Sequence, residues 1–149
     1  VIVIDLGCHT HGDADSIHTL IARFGPRLLY GFDPHPQNLE RVITIGTTTV
    51  VTARRAAWVT DGPLTFTIDG SRTRIGGNHQ AEAFDLVRWL RTLPRVPTIM
   101  KLDVEGAEHE ILRHLRANSV DELLDLILVE WHGPPTKLVY ACPVEEWTI

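Results

Sequence analysis

Two kinds of spacing divide the chain. Short, nearly unbroken apolar and β-branched runs fill residues 1–6, 28–32, 99–104 and 126–131, the pattern of strands covered on both faces. Between them, apolar positions recur every three or four residues. Ile17, Leu20, Ile21 and Phe24 predict a helix over 16–24 that Gly25 and Pro26 stop. Phe84, Val87, Trp89 and Leu90 predict a second, less regular helix over 82–93, ending before Pro94 and Pro97, and residues 107–116 a third. A further parallel strand is expected within 50–59, with Arg54 and Arg55 marking its edge. An alternating strand over 64–68 would pair across the Asp61-Gly62-Pro63 turn. Residues 38–43 suit a short helix, whereas 44–51, rich in threonine and valine, favour extended chain; the register there stays open. The three glycines and two arginines of 69–79 read as a mobile loop, and the proline-bearing tail 133–149 leaves room for at most one short strand. Strands alternating with helices predict one layered α/β domain over 1–149, with a mainly parallel central sheet and helices on both faces.

Bulk properties narrow the functional classes. A chain of 149 residues can bury a core without disulfides or a structural metal. Its 14 basic and 19 acidic residues, net charge -5, argue against a surface built for nucleic acid or an anionic membrane. Arg72 and Arg74 are either solvated loop charges or part of a local groove. No run is long enough for a transmembrane helix, and the opening VIVIDLG has no basic leader. Two cysteines, Cys8 and Cys142, make neither a zinc knuckle nor a disulfide framework, so a reducing, cytoplasmic setting is expected. The chain starts at Val1 inside an apparent strand, which means that residues have been removed or that the sequence starts late.

Candidate chemistry gathers at the strand ends, where open α/β sheets bind ligands. The segment DLGCHTHG, residues 5–12, follows the first strand; it matches neither GxGxxG nor a phosphate-binding P-loop. Asp33, next to Pro34, ends the second strand 28 residues after Asp5, where a carboxylate can accept hydrogen bonds from both hydroxyls of a ribose or simply open a turn. Asp103 and Glu105 stand where the fourth run hands over to a helix, and Glu130 and His132 end the fifth. Glu105 has a second reading as a helix-start charge. His132 is the leading general base, because an imidazole titrates near neutrality. His9, His11, Glu105 and His132 contain metal-donor types, but their wide spacing lacks a compact signature, and no metal site is assigned.

The blocks VIDLGCHTHGDADS, YGFDPHPQNL, AAWV followed by GPLTF, KLDVEGAEHEIL and LILVEWH occur in this order over most of residues 1–132. Together they resemble the FkbM-type branch of the class I S-adenosylmethionine-dependent methyltransferases. KLDVEGAE is the most specific block. The resemblance implies a trimmed Rossmann-like fold and an O-methyltransferase that takes S-adenosyl-L-methionine as cofactor and a hydroxyl of a sugar or small glycan-like metabolite as acceptor. It implies cofactor contacts from Asp5, Gly7, Cys8 and His9 in the first loop, Asp33 and Pro34 at the ribose, Ala57 and Trp58 near adenine, and Asp103 near the methionine end. Asp103, Glu105 and Glu108 match the acidic positions of the late motif, and Asp103, Glu105, Glu130 and His132 form the catalytic set.

Three departures stand out. His9 and His11 replace the usual asparagine and glycine, with Gly12 one position late, and Asp33 replaces the commoner glutamate. The chain also ends soon after the fifth strand, which implies a trimmed fold, a homodimer edge or an incomplete chain. A noncatalytic cofactor-binding scaffold and an NAD-dependent oxidoreductase are the alternatives, the latter weakened by the missing GxGxxG.

Overall fold

The computed structural model describes residues 1–8, 16–70, 72–136 and 138–148. In chain order the elements are β1 (Ile2–Leu6), α1 (Ser16–Phe24), β2 (Leu28–Phe32), β3 (Arg41–Ile45), β4 (Thr48–Ala53), β5 (Ala56–Trp58), β6 (Gly62–Asp69), β7 (Arg72–Ile75), β8 (His79–Asp85), α2 (Leu86–Leu90), β9 (Thr98–Leu102), α3 (Glu108–Ala117), β10 (Leu126–Val129) and β11 (Val144–Glu146). A mixed sheet runs in the order β11-β10-β9-β1-β2-β4-β3, every neighbouring pair parallel except β3 with β4. A smaller sheet, β5-β8-β6-β7, adjoins it.

Burial on both faces, alternating with period two, explains why β1 is apolar except at Asp5. Ile2, Ile4 and Leu6 face Leu86, Val87 and Leu90 of α2 and Ile111, Leu112 and Leu115 of α3. Val3 joins Ile17 and Leu20 of α1 and Trp147 in a second cluster on the opposite face. The sheet is thus flanked by helices on both faces, as the uninterrupted apolar runs anticipate. Among the described residues, no helix is long and apolar enough to cross a membrane.

Four expected elements differ, and one is the strand over 64–68: it forms part of β6, which starts at Gly62 and lies between β8 and β7 instead of pairing across the Asp61-Gly62-Pro63 turn. Residues 69–79 are not simply a loop: Arg72–Ile75 pairs antiparallel with Phe66–Asp69, the two-residue period of its arginines having been obscured by the surrounding glycines. The helix expected over 82–93 shrinks to Leu86–Leu90, because residues up to Asp85 extend β8 against β6. Asp85 marks the change by accepting from the Val87 and Arg88 N–H groups, an N-cap in the middle of the apparent helical pattern. Residues 41–45 of the expected short helix 38–43 and its sequel form β3, the first arm of a hairpin with β4. Ala53 closes β4, and Arg54 and Arg55 separate it from β5, which leaves for the smaller sheet. The tail supplies the single short strand β11, parallel to β10.

Because β1 pairs with β2 on one side and β9 on the other, the chain leaves it in opposite directions, and a crevice opens beyond the strand ends there. Gly7 sits at this point with φ +84°, and a Cβ would fall 1.8 Å from the Asp103 carbonyl oxygen. The glycine therefore serves the close approach of two backbones. Gly7→Ala combines backbone strain with overpacking and should destabilise the fold by about 3 kcal/mol or more in urea titrations; a loss near zero would show that this approach is not needed.

Candidate functional site

The parallel ladders continue one residue past each strand end. The Asp33 N–H donates to the Ala53 carbonyl, that of Gly7 to Phe32, that of Asp103 to Leu6 and that of Glu130 to Leu102. Residues 33, 7, 103 and 130 consequently form a row along the carboxyl edge of adjacent strands. Three of the four carry carboxylates, so the register of the sheet concentrates negative charge beside the crevice.

A buried cation holds this edge together. The Lys101 side chain is fully buried in β9, and its Nζ donates to Asp5 Oδ1 at 2.8 Å and to the Gly7 carbonyl at 3.1 Å, with Asp103 Oδ2 3.9 Å away. The Ser16 hydroxyl, at the start of α1, donates to the other Asp5 oxygen at 2.6 Å. Burial by itself disfavours the ammonium; Asp5 and then Asp103 outweigh it and hold the lysine above its ordinary pKa. Asp5 is therefore a buried structural partner and does not line the cleft. Lys101 carries no expected role in the sequence reading, although a lone charge within an apolar strand is a signal that it must be paired.

The cleft is partly open to solvent. Gly7, Asp33, Pro34 and Asp103 line it from the main sheet, Ala56 and Ala57 from β5, and Leu64, Phe66 and residues 72–75 from the β6–β7 hairpin. The segment expected to be a loop is thus a strand over the cleft, and Arg72 and Arg74 belong to its wall. Asp33 is 4% exposed and accepts the His35 N–H at 2.7 Å. Burial pushes its pKa up to about 7 against that hydrogen bond. Cys8 does not line the cleft: its buried thiol contacts Asn38 Oδ1 at 3.7 Å, and burial raises its pKa well above the ordinary value. Trp58 packs partly buried against the core and is likewise absent from the lining. Expectations for His9, His11 and Gly12 lie outside the described residues.

Asp103, Glu105, Glu130 and His132 do come together. His132 Nε2 lies 3.1 Å from Glu105 Oε2, 3.5 Å from Glu130 Oε2 and 3.9 Å from Asp103 Oδ1. Glu105 reaches the ring from a left-handed backbone, φ +47°, a conformation that costs about 1–3 kcal/mol in a residue other than glycine. Glu130 is pushed up to about 7, first by its hydrogen bond with the Asp103 carboxyl and then by burial. Glu108, fully buried at the start of α3, accepts the His132 backbone N–H at 2.6 Å and the Gly106 N–H at 2.9 Å, which fixes the loop bearing the imidazole. Sequence reasoning placed Glu108 among the acidic motif positions but missed this tie to His132, 24 residues away. Asp103 and Glu105 belong to both the cleft and this cluster, so the two form one continuous region.

No family model matches the chain, and neither the curated proteins nor the solved structures provide a significant match.

Two stability measurements probe this geometry. Lys101→Met strands the buried Asp5 charge and should cost about 3–5 kcal/mol, whereas Lys101→Met combined with Asp5→Asn should cost less; equal losses would show that the pair is not coupled. The raised Asp33 pKa means that the native chain holds a proton which the unfolded chain releases near 3.8. Stability from Asp33 therefore falls as pH rises from that value to about 7. Urea titrations across this window should show Asp33→Asn gaining on the parent as pH rises, and a constant difference would contradict the assignment.

Proposed function

We propose that the chain is an S-adenosyl-L-methionine-dependent O-methyltransferase on a trimmed Rossmann-like scaffold, acting on a hydroxyl of a sugar or other small glycan-like metabolite. The observation that carries this reading is the placement of Asp33 and Gly7 at the ends of adjacent parallel strands, lining one cleft beside the strand-order reversal. That is where an extended adenosyl ligand finds a ribose acceptor next to a close-packed backbone turn. The residues lining the cleft fit the cofactor in their chemistry. Ala56, Ala57, Leu64 and Phe66 supply apolar wall for a base, and Asp33 supplies a carboxylate for the ribose hydroxyls. The preference for a sugar-like acceptor comes from the resemblance alone.

When bound, the cofactor supplies a methyl group activated on a sulfonium. The chain's own task is to orient an acceptor oxygen and to accept its proton. His132 Nε2 faces the rim shared with the cleft, and Glu105 and Glu130 stabilise the imidazolium that forms. Arg72, 3.8 Å from Glu105, and Arg74 stand where an oxygen-rich acceptor would enter. As the acceptor oxygen takes the methyl group, His132 Nε2 would accept the hydroxyl proton.

Calorimetry tests the cofactor. S-adenosylmethionine and S-adenosylhomocysteine should bind in preference to NAD, with affinity rising as pH passes about 7 and Asp33 ionises. Asp33→Ala should weaken binding ~10-fold or more by removing charge-assisted hydrogen bonds. Preference for NAD, or no binding, would overturn the reading. His132→Ala should leave cofactor affinity intact and slow turnover ~100-fold on a hydroxylated acceptor; unchanged turnover at saturation would remove His132 from the mechanism.

A further inference from the structure

The β6–β7 hairpin walls the cleft, yet its outer part has little sheet to rest on. β8 pairs with β6 only over residues 62–66, and β7 is the edge strand of the smaller sheet. Beyond Phe66 the hairpin is therefore a two-stranded ribbon, with Thr67 opposite Arg74, Ile68 opposite Thr73 and Asp69 opposite Arg72. A ribbon of two strands is marginal by itself, so its position over the cleft depends on what its tip touches.

Two contacts reach this end of the hairpin from the edge of the main sheet. Arg72 Nε lies 3.8 Å from Glu105 Oε1, but the arginine side chain is 72% exposed, and an open ion pair at that distance contributes little. The other contact is a hydrogen bond. His35, in the loop after β2 and only 3% exposed, places Nε2 2.9 Å from the Gly70 carbonyl oxygen. Its Nδ1 accepts the Gln37 N–H at 3.0 Å, so the ring proton sits on Nε2, which donates to Gly70. The imidazole is thus oriented by its own loop and aimed at the hairpin. The backbone N–H of the same residue donates to Asp33 Oδ1 at 2.7 Å. One residue therefore joins the carboxylate that lines the cleft to the strand pair that covers it.

We propose that His35 is a positioning residue that latches the β6–β7 hairpin over the cleft and fixes it to the loop bearing Asp33. The outer ribbon is then a lid. Breaking the His35–Gly70 hydrogen bond frees it to swing and admit a ligand, and re-forming the bond sets the wall back beside Asp33. Because the latch and the carboxylate share one residue, a ligand held by Asp33 against the closed wall favours the latched state. The adenosyl cofactor as the ligand so enclosed rests on the proposed methyl transfer. The latch itself requires no ligand.

Amide hydrogen exchange on the ligand-free chain reads the latch directly. His35→Phe keeps a buried ring but removes its hydrogen bonds, and exchange at residues 67–69 and 72–75 should speed up ~10-fold while β1 and β9 exchange as in the parent. His35→Gln, whose side-chain amide can still donate to Gly70, should retain more protection, and Arg72→Gln should change the ribbon far less than His35→Phe does. Parental protection of the ribbon in folded His35→Phe, or an equal loss in Arg72→Gln, would overturn the proposal. If His35→Phe does not fold, nitrogen-15 spectra of the parent imidazole decide: the latch requires the proton on Nε2 and none on Nδ1, and the opposite tautomer would remove it. Dissociation of S-adenosylhomocysteine should be ~10-fold faster from His35→Phe, and an unchanged rate would contradict the gating. A latch seen by exchange in a chain that binds no S-adenosylhomocysteine keeps the lid and removes the cofactor reading; ligand binding with an unlatched hairpin does the reverse.

Discussion

The fully buried Lys101 is the constraint on which the carboxyl edge of the sheet depends. An ammonium removed from water is tolerated only with compensating charge and hydrogen bonds, and Asp5 and the Gly7 carbonyl provide both from the neighbouring strand. Those contacts couple the ends of β1 and β9, the two strands between which the crevice opens. Ser16 extends the tie to α1, and Glu108 performs a comparable service on the other side by joining the start of α3 to the loop after β10. The side chains that face the cleft are thus held by buried polar partners that never reach it.

From this follows a division of labour among carboxylates that look alike in sequence. Asp5 and Glu108 are buried and saturated with donors, which makes them structural. Asp33 lies almost as deep but lines the cleft, and burial leaves it poised near neutrality. Asp103, Glu105 and Glu130 crowd around His132 at the rim. Charges so close together call for a counter-charge, and a proton on the imidazole, an arriving ligand and a cation are the chemical means of supplying it. The proposed methyl transfer draws on this electrostatic need.

The parts most legible in sequence were those governed by short-range pattern. The apolar runs of β1, β2, β9 and β10 and the spacing of α1 and α3 marked elements within a residue or two of their observed ends. The strand-end rule then brought Asp33, Asp103, Glu105, Glu130 and His132 to one edge of the sheet. What stayed hidden depends on long-range pairing. β7 lies among glycines and acquires its strand character from β6, and β8 shares apolar positions with a helix that Asp85 starts late. Lys101 and Asp5 are 96 residues apart, so neither position alone discloses the pair. Cys8 sits in the right loop but points into the core, because only the folded sheet decides which side of β1 its side chain takes.

The most direct test of the proposed adenosyl site is a crystal structure of the chain with S-adenosylhomocysteine. The account predicts ligand density in the cleft between the sheet edge and the β6–β7 hairpin, both ribose hydroxyls hydrogen-bonded to Asp33 and the amino-acid end lying between Gly7 and Asp103. Density at another surface with the cleft empty, or a ribose that does not meet Asp33, would contradict it.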